Sequence, residues 1–312
     1  MRCLTAAACL LVLTACQPAE PGSAPTATAP DHAPPAPSEP ADIPACPADA
    51  DVMAGWDERA PPRRVFGNTW YVGTCGLTAL LVTSDQGHVL LDGATEAAAT
   101  SIEANIRALG FDPADVAYIV NSHEHFDHAA GIAGLQRATG ARVLVRVPAV
   151  PVLLSGRSGR NDPQMLELTP FPPVAEVDVI ADGDTVQAGP LTLTAHATPG
   201  HAPGGTSWSW QSCEGERCLD IAYVDSVSAI SDKAYRYLDH PATVDAFRGA
   251  LDTIAELPCD VLITPHPLAS DLFARIDGKA PLQDAGACRR YADTGRANLD
   301  KRLAREKTGA AP

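Results

Sequence analysis

The sequence predicts a layered α/β domain. Short runs rich in β-branched and aromatic residues come in groups, with helical apolar stripes interspersed among them. The chain has 312 residues, 46% of them hydrophobic, enough for one large domain or two small ones. Taken in order, Trp70-Tyr71-Val72-Gly73 and residues 77–83 read as strands. Gln86-Gly87 turns the chain into His88-Val89-Leu90-Leu91-Asp92-Gly93, a strand ending in a carboxylate and a glycine. Residues 97–109 form a helix with Ile102, Ile106 and Leu109 on one stripe, broken by Asp112-Pro113. A strand over 116–120, a helix over 130–139 and a strand over 142–145 follow. The Pro- and Gly-rich span 148–175 reads as a loop over a site. Further strands are expected at 191–196, 206–210, 220–223 and 261–263, and helices at 244–257 and 285–305.

The N-terminal stretch has a different character. Arg2 precedes an apolar run, Cys3 to Ala15, too short to span a bilayer and typical of a secretory signal. It ends in Leu13-Thr14-Ala15-Cys16, which resembles the lipobox of bacterial lipoproteins. That resemblance implies a signal peptide over 1–15, a lipidated Cys16 and a membrane anchor. Gln17 in place of aspartate favours the outer membrane, facing the periplasm; ordinary cleavage nearby is the alternative. Residues 16–48, rich in Pro and Ala, bury too little apolar surface to fold and read as a tether to a globular domain over 49–312.

Of nine cysteines, three lie at or before Cys16, leaving Cys46, Cys75, Cys213, Cys218, Cys259 and Cys288. An even number in an exported chain suggests disulfides, with connectivity open. Cys213 and Cys218 flank a polar turn that suits a local hairpin bridge. A net charge of −15 and the lack of a basic stripe argue against a nucleic-acid partner.

The densest chemistry lies at 121–128, Asn-Ser-His-Glu-His-Phe-Asp-His, where three histidines and two carboxylates occupy six positions after a strand. An i, i+2 pair shares one side of an extended segment, so His123 and His125 point together. Asp127 and His128 come after a change of direction and face a second position. His201, in Pro-Gly-His-Ala-Pro-Gly-Gly, and His266, in Thr-Pro-His-Pro, sit on rigid loops at strand ends and would supply a third ligand each. Imidazole and carboxylate are ligands that zinc prefers. Glu124 is expected to be exposed or behind the ligands, and His196 behind them. His32 falls in the tether, His88 within a strand, and His240 beside a Pro-led helix start.

These motifs resemble the metallo-β-lactamase superfamily, with its H-x-H-x-D-H signature and αβ/βα sandwich. The likeness is to subclass B3 and spans residues 56–307. It rests also on residues 198–208, on Tyr223-Val224-Asp225-Ser226-Val227-Ser228-Ala229, and on residues 258–267. The resemblance implies a four-layer sandwich and two zinc ions, one on His123, His125 and His201 and the other on Asp127, His128 and His266. It also implies the bridges Cys259–Cys288 and Cys46–Cys75. Ser226 falls where another subclass has a cysteine ligand, so the second zinc lacks a thiolate. Ala202 stands where threonine is usual.

The implied reaction is hydrolysis of the β-lactam amide by a hydroxide shared between zincs about 3.5–4 Å apart, oriented by Asp127. Ser226 and Ser228 would bind the substrate carboxylate. The enzyme is expected to be monomeric, with selectivity set near Trp56 and by loop 148–175. Three rivals stand beside this reading. One is an exported dizinc lactonase or thioester hydrolase, for which Asp225 would be a bridging ligand. Another is a nuclease, disfavoured by acidity. The last is an inert binding lipoprotein, disfavoured because all six ligands are present.

Overall fold

A computed structural model describes residues 43–47 and 53–309. The expected signal, Cys16 and all of the tether except residues 43–47 lie outside the described residues. Seven strands form one sheet in sequential order: β1 (Arg63–Phe66), β2 (Thr69–Tyr71), β3 (Leu80–Val82), β4 (His88–Leu91), β5 (Val116–Val120), β6 (Arg142–Val145) and β7 (Asp178–Val179). β1 to β4 run antiparallel, and β4 to β7 run parallel. The second sheet has the order β12-β11-β10-β9-β8, made of β8 (Thr185–Ala188), β9 (Leu191–Ala197), β10 (Thr206–Glu214), β11 (Arg217–Tyr223) and β12 (Val261–Ile263). Only its β11–β12 pair is parallel. The helices are α1 (Ala99–Ala108), α2 (Phe126–Ala129), α3 (Ile132–Thr139), α4 (Val150–Ser155), α5 (Pro241–Glu256), α6 (Leu272–Ile276) and α7 (Ala287–Lys307).

Strand periodicity explains the layering. In β3 and β4, Leu80, Val82, Val89 and Leu91 face the second sheet, where they meet Leu193, Trp208, Ile221, Tyr223 and Ile263. Leu81 and Leu90 point the other way and pack with Ile102 and Ile106 of α1 and Ile132 and Leu135 of α3. The outer face of the second sheet, Ala222 and Leu262, packs with Phe247, Leu251 and Ile254 of α5 and Leu299 and Leu303 of α7. Three apolar layers thus separate helices, sheet, sheet and helices, the expected αβ/βα sandwich. Each fully buried Leu, Ile or Phe contributes about 1.5–3 kcal/mol. Trp208 and Trp210 cross the central layer and satisfy their indole N–H groups on Asn121 O and Thr69 Oγ1, both at 2.9 Å.

The three disulfides are Cys46–Cys75, Cys213–Cys218 and Cys259–Cys288, the pairings expected. Cys213 and Cys218 face each other in the β10–β11 ladder. Among the described residues, no helix is long and apolar enough to cross a membrane.

Some boundaries differ from expectation. The strand expected over 77–83 is only Leu80–Val82, because Val72 and Thr74 donate back to Ala79 O and Leu77 O in a tight turn. β1, β7 and β8 were not anticipated. The span 148–175 holds α4, which stops at Gly156 in the left-handed region at φ 67°. His196 belongs to β9, and its Nε2 meets Ser209 Oγ at 2.7 Å rather than any ligand residue, which corrects its expected place behind the site.

Buried in the helical layer, Arg302 Nε donates to Glu306 Oε1 at 2.7 Å, with side chains 4% and 2% exposed. Glu306 also accepts the N–H groups of Tyr237 (3.1 Å) and Leu238 (2.9 Å). Glu306→Ala strands a buried guanidinium and is expected to cost about 3–5 kcal/mol, read as a lowered urea midpoint.

Candidate metal centre

The candidate ligands converge at the C-terminal ends of strands from both sheets. β5 runs on through an extended stretch to His125, at φ −73° and ψ 154°, which caps the short helix α2. His123 and His125 therefore lie on the extended segment, whereas Asp127 and His128 sit on the first turn of α2, a change of direction as expected. His201 comes from the β9–β10 loop and His266 from the turn after β12.

His123, His125 and His201 form one group whose ligand atoms all lie within 4.8 Å of one another, and all three are buried. Their ring centroids are 4.6 to 4.9 Å apart. A second group of the same tightness holds His123, Asp127 and His128. His266 joins through Asp127, whose Oδ2 is 3.2 Å from His128 Nε2 and 3.5 Å from His266 Nε2. The six expected ligands are thus together, with His123 standing between the two half-sites.

The donor set fits a metal because the outward nitrogens of the first group are already bound. His123 Nδ1 lies 2.8 Å from Asp225 Oδ1. His125 Nε2 lies 2.9 Å from Asp162 Oδ2, and His201 Nδ1 lies 3.1 Å from Ser228 O and 2.9 Å from Ser228 Oγ. What remains inward is His123 Nε2, His125 Nδ1 and His201 Nε2. His123 Nε2 is buried with no hydrogen-bond partner. Orphaned imidazole nitrogens with their opposite nitrogens held by carboxylate or carbonyl are the pattern of metal-binding histidines.

Protonation states point the same way. Burial, then the neighbouring His125 charge, pushes His201 down to about 3. Burial, then the charges of His128, His125 and His201, hold His123 well below the ordinary imidazole value. Burial opposes ionisation of Asp127, but the His128 charge and hydrogen bonds from His128 and His266 hold it well below the usual carboxylate range. Neutral imidazoles beside an ionised carboxylate are what a cation requires. His125 and His128 are different: burial lowers them, yet Asp162 and Asp127 respectively outweigh it and raise them. A metal must displace those protons.

Four carboxylates surround the ligands, and of these only Glu124 was expected behind them, as an alternative to exposure. Asp92, at φ 62°, accepts Ser122 N–H (2.6 Å), Ser122 Oγ–H (2.7 Å) and Tyr223 O–H (2.5 Å), and its Oδ2 is 3.6 Å from His128 Nδ1. Its signal was the strand-end Asp-Gly. Asp225 was weighed only as a bridging ligand, and it faces the outer side of His123 instead. Burial, reinforced by the charges of Asp92 and Glu124, pushes its carboxyl well above the usual range. A metal held by His123 Nε2 would leave the ring proton on Nδ1, facing Asp225. Asp162 lies in the Pro- and Gly-rich loop, where nothing local marks it. Glu124 is fully buried rather than exposed, because it accepts Gly204 N–H at 2.8 and 3.1 Å and so ties the His201 loop to the histidine segment. Ser228 is bonded to His201, and Ser226 is half-buried beside Asp225.

A family model for the metallo-β-lactamase superfamily matches residues 72–214. The metallo-β-lactamase MIM-1 from Novosphingobium pentaromativorans superposes with a TM-score of 0.81 at 52% identity, over 83% of this chain and 95% of that one. MEM-A1, a subclass B3 metallo-β-lactamase from a soil metagenome library, gives 0.79 at 44% identity over 81% and 99%. The chain belongs to the metallo-β-lactamase superfamily. Its structural neighbours are metallo-β-lactamases, named subclass B3 enzymes such as MEM-A1 among them. Among curated relatives, the N-acyl homoserine lactonase AttM of Rhizobium radiobacter is 38% identical over 112 residues, 33% of this chain and 38% of the lactonase.

Gly204 and Gly205 permit these carboxylates to close on the backbone. A Cβ at Gly204 would lie 2.4 Å from Glu124 Oε2, and one at Gly205 would lie 2.4 Å from Asp225 Oδ2. Gly204→Ala is expected to destabilise the metal-free protein by about 1–3 kcal/mol in thermal unfolding, and to lower bound metal by displacing His201.

Proposed function

We propose that the protein is a zinc hydrolase that opens the amide of β-lactam antibiotics, with two zinc ions per chain. His123, His125 and His201 would hold one, and Asp127, His128 and His266 the other. Bound there, zinc supplies Lewis acidity, polarising a carbonyl and making water acidic enough to act as a nucleophile near neutral pH. Asp127, ionised and touching both His128 and His266, accepts a hydrogen bond from the attacking water and orients it. Ser228 accepts the Nδ1–H of His201, which leaves its own O–H free to donate to a substrate carboxylate. Ser226 supplies a second hydroxyl on the same segment.

The observation that carries this reading is the position of Asp225. In a dizinc lactonase or thioester hydrolase an extra aspartate bridges the metals. Here that carboxylate is turned onto the outer nitrogen of His123. Likeness to named metallo-β-lactamases over almost their whole length supports the same substrate class. The lactonase reading rests on the N-acyl homoserine lactonases AttM, matched over 38% of the Rhizobium radiobacter protein and, at 30% identity, over 84% of the Azorhizobium caulinodans one, an identity below that to the metallo-β-lactamases.

The three disulfides support an oxidising compartment. With the lipobox-like Leu13-Thr14-Ala15-Cys16 and the Gln17 that follows, they favour a lipoprotein tethered through residues 16–48 and facing the periplasm from the outer membrane.

Purified protein lacking the lipid anchor is expected to hydrolyse a chromogenic cephalosporin, and a chelator to abolish that activity. Turnover of acyl-homoserine lactones or thioesters with none of any β-lactam would overturn the substrate assignment. Metal analysis is expected to give about two zincs per chain, falling toward one in His266→Ala; an unchanged content would refute the second site.

A further inference from the structure

Two imidazoles of the three-histidine group are held from behind by a stretch of chain, residues 228–235, that supplies no ligand itself. Ser228 reaches His201 directly. The hold on His125 is indirect and passes through loop 148–175. Asp162 Oδ2 meets His125 Nε2 at 2.9 Å, with side chains 2% and 3% exposed. Its other oxygen accepts Gln164 N–H at 2.8 Å, which fixes the carboxylate plane.

The loop is pinned in turn by Asp232, whose side chain is fully buried. Asp232 N–H donates to Pro163 O at 2.8 Å. Its Oδ2 accepts Leu166 N–H at 3.0 Å and Arg160 Nη1–H at 2.9 Å, and its Oδ1 accepts Ala234 N–H at 2.8 Å. One carboxylate therefore clamps both sides of Asp162. The clamp is rooted in the helical layer, because Ser231 Oγ accepts from Arg302, the partner of Glu306 on α7.

We propose that Asp162 is a positioning residue for the first metal, and that the Asp232–Arg160 clamp sets its place. A free imidazole exchanges its proton between two nitrogens and turns about its side-chain bonds. A charge-assisted hydrogen bond to Nε2 fixes the proton there and presents the Nδ1 lone pair inward. His125 is the one member of its group that must bind through Nδ1, so its ring has to be held on the opposite edge from those of His123 and His201. The aspartate that does this sits past α4, on residues 157–175, which hold no helix or strand, and this explains why a second buried aspartate is needed to hold that stretch. The inference rests on the three-histidine group being a metal site.

Titration of the metal-free full-length domain with cobalt(II) and zinc against a chromophoric chelator tests it. Asp162→Ala is expected to weaken one metal equivalent by about 10–100-fold while leaving the other within about twofold. Asp162→Asn, which keeps an acceptor for Nε2–H, is expected to lose less, and Arg160→Ala, at a half-exposed position, less again but in the same equivalent. Excess zinc is expected to restore kcat in all three. Variants with a lowered Tm but wild-type affinity for both equivalents would show that Asp162 and the clamp serve only the fold, and would overturn the proposal. If the wild-type protein bound no metal, the metal centre itself would fail. Should Asp162→Ala not fold, the other two substitutions carry the same test.

Discussion

A single buried carboxylate, Asp92, joins the two sheets where the site is built. It accepts two hydrogen bonds from Ser122, which opens the histidine segment after β5, and one from Tyr223, which closes β11 in the second sheet. Its backbone sits at φ 62°, a conformation that aspartate tolerates better than most residues. Burial raises its pKa, against the lowering effect of the His128 charge and of the hydrogen bonds from Tyr223 and Ser122. Around that bracket the strand ends of both sheets come to a common level, and candidate ligands 143 positions apart in sequence, His123 and His266, become neighbours of the same aspartate and histidine.

Labour is divided between a ring of ligands and a ring of carboxylates behind it. Asp225, Asp162 and Asp92 each face the rear edge of a different imidazole, and Glu124 fastens the loop of His201. So many acids in one dry place repel each other, which is visible in the upward shifts of Asp225 and Glu124 by burial and mutual charge. The arrangement is tolerable because each carboxylate accepts at least one hydrogen bond or lies against an imidazole that a cation would make more acidic. Strain is concentrated where the chemistry is, and the apolar layers on either side offset it.

The sequence made the ligands legible because they are dense, rigidly flanked and of the right chemical type. The long strands and the two helices α5 and α7 were legible through periodicity. The short edge strands were not: Asp178–Val179 has two residues, and β1 opens with two arginines that give no apolar alternation. The carboxylates behind the ligands escaped for a different reason. Asp162 and Asp92 act on residues 37 and 30 positions away, and an aspartate in a turn ordinarily needs no partner to explain it. For Glu124 the alternation along an extended segment left two places open, exposed or behind the ligands, and it takes the second, because away from the site here means into Gly204 rather than into water.

That the ligands arrive from the ends of strands in two separate sheets bears on the order of events as the chain folds. The segment 123–128 carries three imidazoles and two carboxylates in one local stretch and offers them to a cation even when unfolded. His201 and His266 arrive only once the long-range pairings of the second sheet have formed, and such pairings are slow. A cation therefore stabilises the native chain only by the difference between its hold on the finished centre and its hold on the bare segment. An ion bound early would sit on half a centre, and closure of the sandwich would convert a loose chelate into an enclosed one.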